Sequence, residues 1–270
     1  MTSDRTPNLA RAHVMHAGGG GHEFLMKEAV TELMDRLSLI KRTFGDGLGA
    51  YGLSNDLPDA MQTSAQVERV ATASGLPGDD LQLAPQSFDL VLAPLTLHWA
   101  SDLPGALVQL RRALRPDGLL LAVLPGPDTL TELRQSLLAA ESEITGGAAQ
   151  RVDAFMSLND AGGLLQRAGF ALPVVDRDVL TVRYGSFESL AKDLRGWAGT
   201  RRGGPPLSRA VAERATDIYR ERFSDADGKL RASIEFISMQ AWVPHESQQK
   251  PLARGSAKMS LAAALKPSAN

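Results

Sequence analysis

The stretch from Phe44 to Gly52 reads FGDGLGAYG and contains G-x-G-x-x-G at Gly47, Gly49 and Gly52. Glycine has no Cβ, so such a segment lets a backbone come close to a nucleotide-like ligand. The pattern carries that meaning only between a strand and a helix; elsewhere it is a surface turn. Both readings stand here, because the residues ahead of it read as a helix. Tyr51, inside the stretch, reads as packing more than as a stacking partner. Further on, His98 and Trp99 follow the carboxyl end of a strand, where ligands of open α/β sheets gather. His98 is a candidate site-lining group or base. Asp128, Thr129, Glu132 and Arg134 follow the next strand and face the same rim, as candidate contacts for a substrate or for the ligand's far end. Each has a structural alternative. His98 and Trp99 can pack the start of a helix, Asp128 or Thr129 can cap one, and Glu132 with Arg134 can form a solvated pair. Arg111, Arg112 and Arg115 read as a solvated helix face.

These groups need elements to hold them. Between Glu23 and Thr43 the apolar positions Met26, Val30, Leu33, Leu37 and Ile40 make one helical stripe, which Phe44 and the glycines end. VERVATA at 67–73 and FDLVLAPL at 88–95 read as strands. Asp102 caps a helix with Leu107, Leu110 and Leu114 on its stripe, stopped by Pro116 and Gly118. LLLAVLP at 119–125 is a strand buried on both faces, and 128–144 a helix capped by Asp128 or Thr129. Further helices are expected at 158–170, 186–198 and 207–223, a strand pair or one bent strand at 172–184, and a long strand at 229–244. Alternating strands and helices predict a parallel sheet with helices on its faces.

The 270 residues are 43% hydrophobic and 22% charged, which fits a globular domain with a real core. A net charge of −2 offers no basic surface excess for nucleic acid. With no cysteine and five scattered histidines, no metal site is expected. No apolar run is long enough to span a membrane, and the expected compartment is the cytoplasm. The domain plan is a loose N-terminal segment at 1–22, an α/β domain at 23–244 and an extension at 245–270. Within the polar stretch 244–256, PHESQQKPLARGS, contact with a partner or the site rim is expected.

Residues 87–137, SFDLVLAPLTLHWASDLPGALVQLRRALRPDGLLLAVLPGPDTLTELRQSL, resemble a class I S-adenosylmethionine-dependent methyltransferase. The resemblance is to the branch that holds the mitochondrial complex I assembly factor and the malonyl-carrier-protein methyltransferase of biotin synthesis. LLQRAGFALPVVDRDVLTVRY at 164–184 and AWVPHESQQKPLARGSAK at 241–258 resemble the assembly-factor side more. The resemblance implies a Rossmann-like α/β fold, with a mostly parallel twisted sheet and an antiparallel last strand. It implies S-adenosylmethionine as cofactor, held by Gly47, Gly49, Tyr51, Gly52, Ser74, Asp80, Leu95 and His98. Asp79 shares the adenine-side position with Asp80, a solvated turn being the alternative. The implied function is methyl transfer to an unknown acceptor. The alternatives are complex I assembly with arginine modification, or binding without turnover. The implied partners are the small-molecule cofactor and a protein substrate or complex I subunit.

The chain departs from the family pattern in three places. Gly47 stands where the family has an acidic residue, with Asp46 one place off. Ser74 stands where a carboxylate grips the ribose hydroxyls, a loss of about 1.5–3 kcal/mol. Only 14 residues, Ser74 to Ser87, precede the FDLVL strand. A parallel crossover by itself takes about a dozen. One βα unit is therefore expected to be missing.

Overall fold

The computed structural model describes residues 24–51, 56–73, 82–100, 102–196 and 206–249. In chain order the elements begin with α1 (Phe24–Ser38), β1 (Phe44–Ala50), α2 (Asp56–Thr63), β2 (Val67–Ala73) and β3 (Phe88–Pro94). A 3-10 turn (Leu97–Trp99), α3 (Leu103–Ala113), β4 (Leu114–Pro125), α4 (Thr131–Thr145) and α5 (Leu158–Arg167) follow. The chain continues through β5 (Ala171–Tyr184), α6 (Phe187–Gly196) and α7 (Arg209–Phe223) to β6 (Leu230–Trp242).

Six strands form one sheet in the order β2-β1-β3-β4-β6-β5. Neighbours from β2 to β4 run parallel, and β6 lies antiparallel between β4 and β5. This is the expected methyltransferase-like sheet with its antiparallel last strand, shorter by one βα unit. Nothing among the described residues between β2 and β3 forms a strand outside β2.

Apolar side chains alternate along the strands and build two cores. One, on the face of α1, α2, α4 and α7, gathers Leu33, Met61, Leu90, Leu121 and Ile218. The other, on the face of α3 and α5, gathers Leu48, Val91, Leu107, Leu120 and Leu164. β4 is buried at nearly every position from Gly118 to Pro125, as its continuous apolar run predicts.

The segment before the glycines corrects one expectation. The helical stripe stops at Ser38, and Phe44–Ala50 is not a loop but a central strand, paired on both sides. Its glycines admit what lies above them. A Cβ on Gly47 would stand 2.8 Å from both Met61 Cε and Val67 Cγ1, and one on Gly49 would stand 3.2 Å from Leu57 Cδ2. Glycine here lets α2 settle on the sheet.

Asp46 lies toward the N-terminal edge, in register with Arg69 of β2. Arg69 reaches its carboxylate at 2.7 Å, and Arg115 bridges it to Asp89 at 2.9 Å each. Arg115 thus belongs to β4 and an ion-pair network, not to a solvated helix face. The hydrogen bonds from Arg69 and then Arg115 hold the Asp46 carboxyl at about 2, below its ordinary 3.8. A depressed carboxyl contributes its stability above the ordinary value and loses it as pH falls through the folded one. The urea midpoint should therefore drop between pH 3.8 and about 2, and Asp46→Asn should flatten that limb. Parallel acid limbs in the two proteins would remove the network's role.

Candidate functional site

The chain leaves β1 toward β2 on one side, then crosses back to β3 and β4 on the other. In open α/β sheets ligands gather beyond the carboxyl ends of the two strands that flank such a reversal, here β1 and β3. The register Gly49↔Leu92 puts Tyr51 and Leu95 just past those ends, side by side.

Both residues turn the chain in the left-handed region, Tyr51 at φ 57° and Leu95 at φ 42°. Leu130, beyond the end of β4, does the same at φ 58°. All three side chains are fully buried. Left-handed backbone in a non-glycine residue carries strain of about 1–3 kcal/mol and gathers at functional sites. Here packing on both cores fixes the three turns that make the rim.

Thr96 follows Leu95. It is 0% exposed, and its Oγ1 has no hydrogen-bond partner. It is the N-cap of the 3-10 turn by its carbonyl, and its side chain makes no capping bond. A buried hydroxyl left unpaired costs about 1–3 kcal/mol, and valine would fill the same volume without that cost. The sequence reading passed over Thr96; the signal was a hydroxyl residue directly after the end of a buried strand. His98 and Trp99 form the turn itself. The His98 ring lies 4.8 Å from Trp99 and 5.9 Å from Phe155, edge to face with the latter. Phe155 comes from the segment between α4 and α5 and was also unforeseen. These rings give the rim an apolar, water-excluding wall.

Of the eight residues expected at the cofactor, the structure gathers Tyr51, Leu95 and His98 at this edge. Gly47 and Gly49 lie lower, inside β1, under α2. Gly52, Ser74 and Asp80 fall outside the described residues, as does Asp79. The strand-then-helix context that gives a glycine motif its meaning does exist, since β1 precedes the turn and α2 follows it. Thr96 supplies the unpaired buried polar atom that a polar ligand would satisfy. In these respects the residues present suit a nucleoside cofactor.

Of the four residues expected to contact substrate, β6 holds three, and the fourth, Arg134, braces the turn they form. The Asp128 N–H donates to Glu235 Oε2 at 2.6 Å. Thr129 is fully buried, donating to the Glu235 carbonyl and accepting from the Glu235 N–H. Glu132 accepts from the Ser233 N–H and hydroxyl, at 2.9 and 2.6 Å. Arg134 donates to the carbonyls of Pro127 and Thr129. Neither Asp128 nor Thr129 caps α4, whose N-cap is Leu130 without a side-chain bond. Their polar groups fasten the turn after β4 to the antiparallel strand. Residues 244–249 depart similarly from the site rim: Gln248 bonds Asp117 and the Val243 carbonyl at the opposite, N-terminal edge. Among the described residues, no group of three His, Asp or Glu is placed to hold a metal ion, and no helix is long and apolar enough to cross a membrane.

Residues 48–122 match the family described as Methyltransferase domain. The zebrafish (Danio rerio) arginine-hydroxylase NDUFAF5, a mitochondrial protein, is 34% identical over 262 residues, covering 89% of this chain and 82% of its own length. The malonyl-[acyl-carrier protein] O-methyltransferase of Gallionella capsiferriformans is 34% identical over 168 residues, covering 61% of this chain and 55% of its own. A solved Bacillus halodurans structure described as a methyltransferase superposes with a TM-score of 0.50 at 16% identity, over 80% of this chain and 99% of that one. This last likeness concerns the fold alone.

Proposed function

This chain belongs to the family of the NDUFAF5 arginine hydroxylases and carries a methyltransferase domain, and from that premise we propose that it is an S-adenosylmethionine-dependent methyltransferase acting at the β1–β3 crevice. The observation that carries this reading is the unpaired Thr96 hydroxyl at the end of β3, at the sheet's reversal point. Tyr51, Leu95, Thr96 and His98 would hold the cofactor, which supplies an already activated methyl group. With an activated donor the protein's work is alignment and exclusion of water. The three left-handed turns set the rim rigidly, and Trp99 and Phe155 beside His98 wall off solvent. The acceptor class is a protein side chain presented at that rim. The relatives' name points to arginine, and a respiratory complex I subunit is the partner to try first. The absence of cysteine suits a reducing compartment, the cytoplasm or, as for the named relatives, a mitochondrion.

The near end-to-end likeness to arginine hydroxylases favours a second reading, hydroxylation of arginine at the same rim, in which one atom of dioxygen enters a C–H bond and the other leaves as water with two electrons and two protons from an external reductant. Two measurements separate the readings. Calorimetry with S-adenosylhomocysteine should show micromolar binding; no heat at millimolar ligand would sink the cofactor assignment. Mass spectrometry of a candidate subunit incubated with protein and S-adenosylmethionine should show one added methylene per modified arginine. One added oxygen atom instead would establish the second reading.

Thr96→Val gives a sharper check. The variant should be more stable than wild type by about 1 kcal/mol in urea unfolding, because the unpaired hydroxyl is gone. It should also bind S-adenosylhomocysteine about tenfold more weakly, one hydrogen bond having been lost. Greater stability with unchanged affinity would make Thr96 a bystander.

A further inference from the structure

At the N-terminal edge of the sheet, opposite the crevice, two adjoining cavities of about 380 and about 250 Å³ share Pro85 and Arg112 in their walls. The segment Gln82–Gln86 forms one wall and the last turn of α3 the other. Residues 82–87 lead into β3 along this edge. Backbone bonds from Gln86 to the Arg112 carbonyl and from Ser87 to the Ala113 carbonyl, at 2.9 and 2.8 Å, fix it there. Gln82 and Gln86 sit at φ 48° and 50°, so both ends of the wall are held in strained turns.

The lining has a distinct chemistry. Leu83, Pro85, Leu114 and Val243 supply apolar floor, and Gln82, Gln86 and Gln109 bring amide groups. Arg111 and Arg112 are the charged residues of the lining, and among the described residues no carboxylate joins them. Arg111 is half committed, its Nε donating to the Gly169 carbonyl at 2.9 Å. The Arg112 guanidinium makes no hydrogen bond or ion pair to any described residue. That contrasts with Arg36, Arg42, Arg69, Arg115 and Arg151, each paired with a carboxylate.

We propose that this groove docks an extended acidic segment of a partner polypeptide, with Arg112 as its charge anchor. A carboxylate would complete the one guanidinium that both cavities share. The Gln86 amide suits the donors and acceptors of an extended backbone, and the apolar floor suits alternate side chains. A free phosphate would use the arginine and leave the floor empty. The chain's own residues 250–270 carry Lys250, Arg254, Lys258 and Lys266 and no acidic residue, so their charge opposes the site. This docking stands apart from the cofactor reading, since the two edges share no residue.

The test is fluorescence anisotropy of the full chain with a labelled peptide of alternating glutamate and valine. A lysine–valine peptide serves as the control. Saturable binding of the acidic peptide, weakening as salt rises, is expected. Arg112→Glu should weaken it at least about tenfold, and Arg112→Lys should retain part of it. Ala84→Asp, in the facing wall, should act in the same direction as Arg112→Glu. Equal binding of both peptides, equal binding by wild type and Arg112→Glu, or inorganic phosphate displacing the peptide completely at equimolar concentration would overturn the proposal. Absence of saturable binding to wild type would do so as well.

Discussion

Replacing Arg177 by methionine should lower the unfolding free energy by about 3 kcal/mol. Glu235 is 2% exposed in the middle of β6, and the Arg177 guanidinium from β5 lies directly on its carboxylate. The same arginine also reaches Asp128. Methionine keeps the aliphatic bulk but removes the charge, leaving the buried carboxylate with the Asp128 N–H as its remaining described donor. Arg177 is itself half exposed and solvent screens the pair in part, so the loss falls at the lower end of the range for stranding a buried carboxylate. The double variant Arg177→Met with Glu235→Leu should therefore recover much of the loss. The geometry around Gly126 sharpens the point. A Cβ there would stand 2.5 Å from Glu235 Cδ, so Gly126→Ala should also destabilise, by displacing the carboxylate from its partners. Urea unfolding of the three variants checks this. If Arg177→Met loses less than about 1 kcal/mol, the buried carboxylate is being satisfied some other way.

Gly47→Val should cost about 2 kcal/mol, within the range of about 1–3 for overpacking a core. Strand propensity alone would predict the reverse, because valine suits a β-strand better than glycine by up to about 1 kcal/mol. The contacts decide the sign. At 2.8 Å from both Met61 Cε and Val67 Cγ1, a Cβ at Gly47 has no room, and β-branching adds two methyl groups to the collision. Met61→Ala opens the space from the α2 side. The pair of substitutions should therefore be less harmful than their separate effects add up to. A double-mutant cycle measured by thermal unfolding gives that coupling. No coupling would mean that Gly47 does not serve helix–sheet packing, which would reopen its role beside a ligand.

Much of the scaffold was legible. β2 was bounded correctly at Val67–Ala73, and β3 and the core of β4 followed from apolar runs that only a doubly covered sheet accommodates. The Asp102 cap on α3 is present, its Oδ1 accepting from the Gly105 N–H at 2.9 Å. The lost βα unit followed from chain length alone. β1 was missed because three of its seven residues are glycine and carry no periodic signal. The helical stripe ahead of it also ran on past the true helix end. α2 was missed because it is short and has a proline in its first turn. At the site, Asp128 and Thr129 looked like caps by position, yet β6 takes both, and Leu130 turns the chain instead.

By itself the sequence determined the alternation of strands and helices, the family, and the loss of one crossover. All three depend on local spacing and on how far a chain of given length can reach. Tertiary structure alone decided which groups are left to act. Asp46 is tied to arginines because β2 and β4 bring Arg69 and Arg115 within reach. Thr96 is left unpaired because the end of β3 and the turn after it bury its hydroxyl away from solvent. Strand parity aims a side chain, but only the neighbouring strand, set by register across distant segments, determines what it meets.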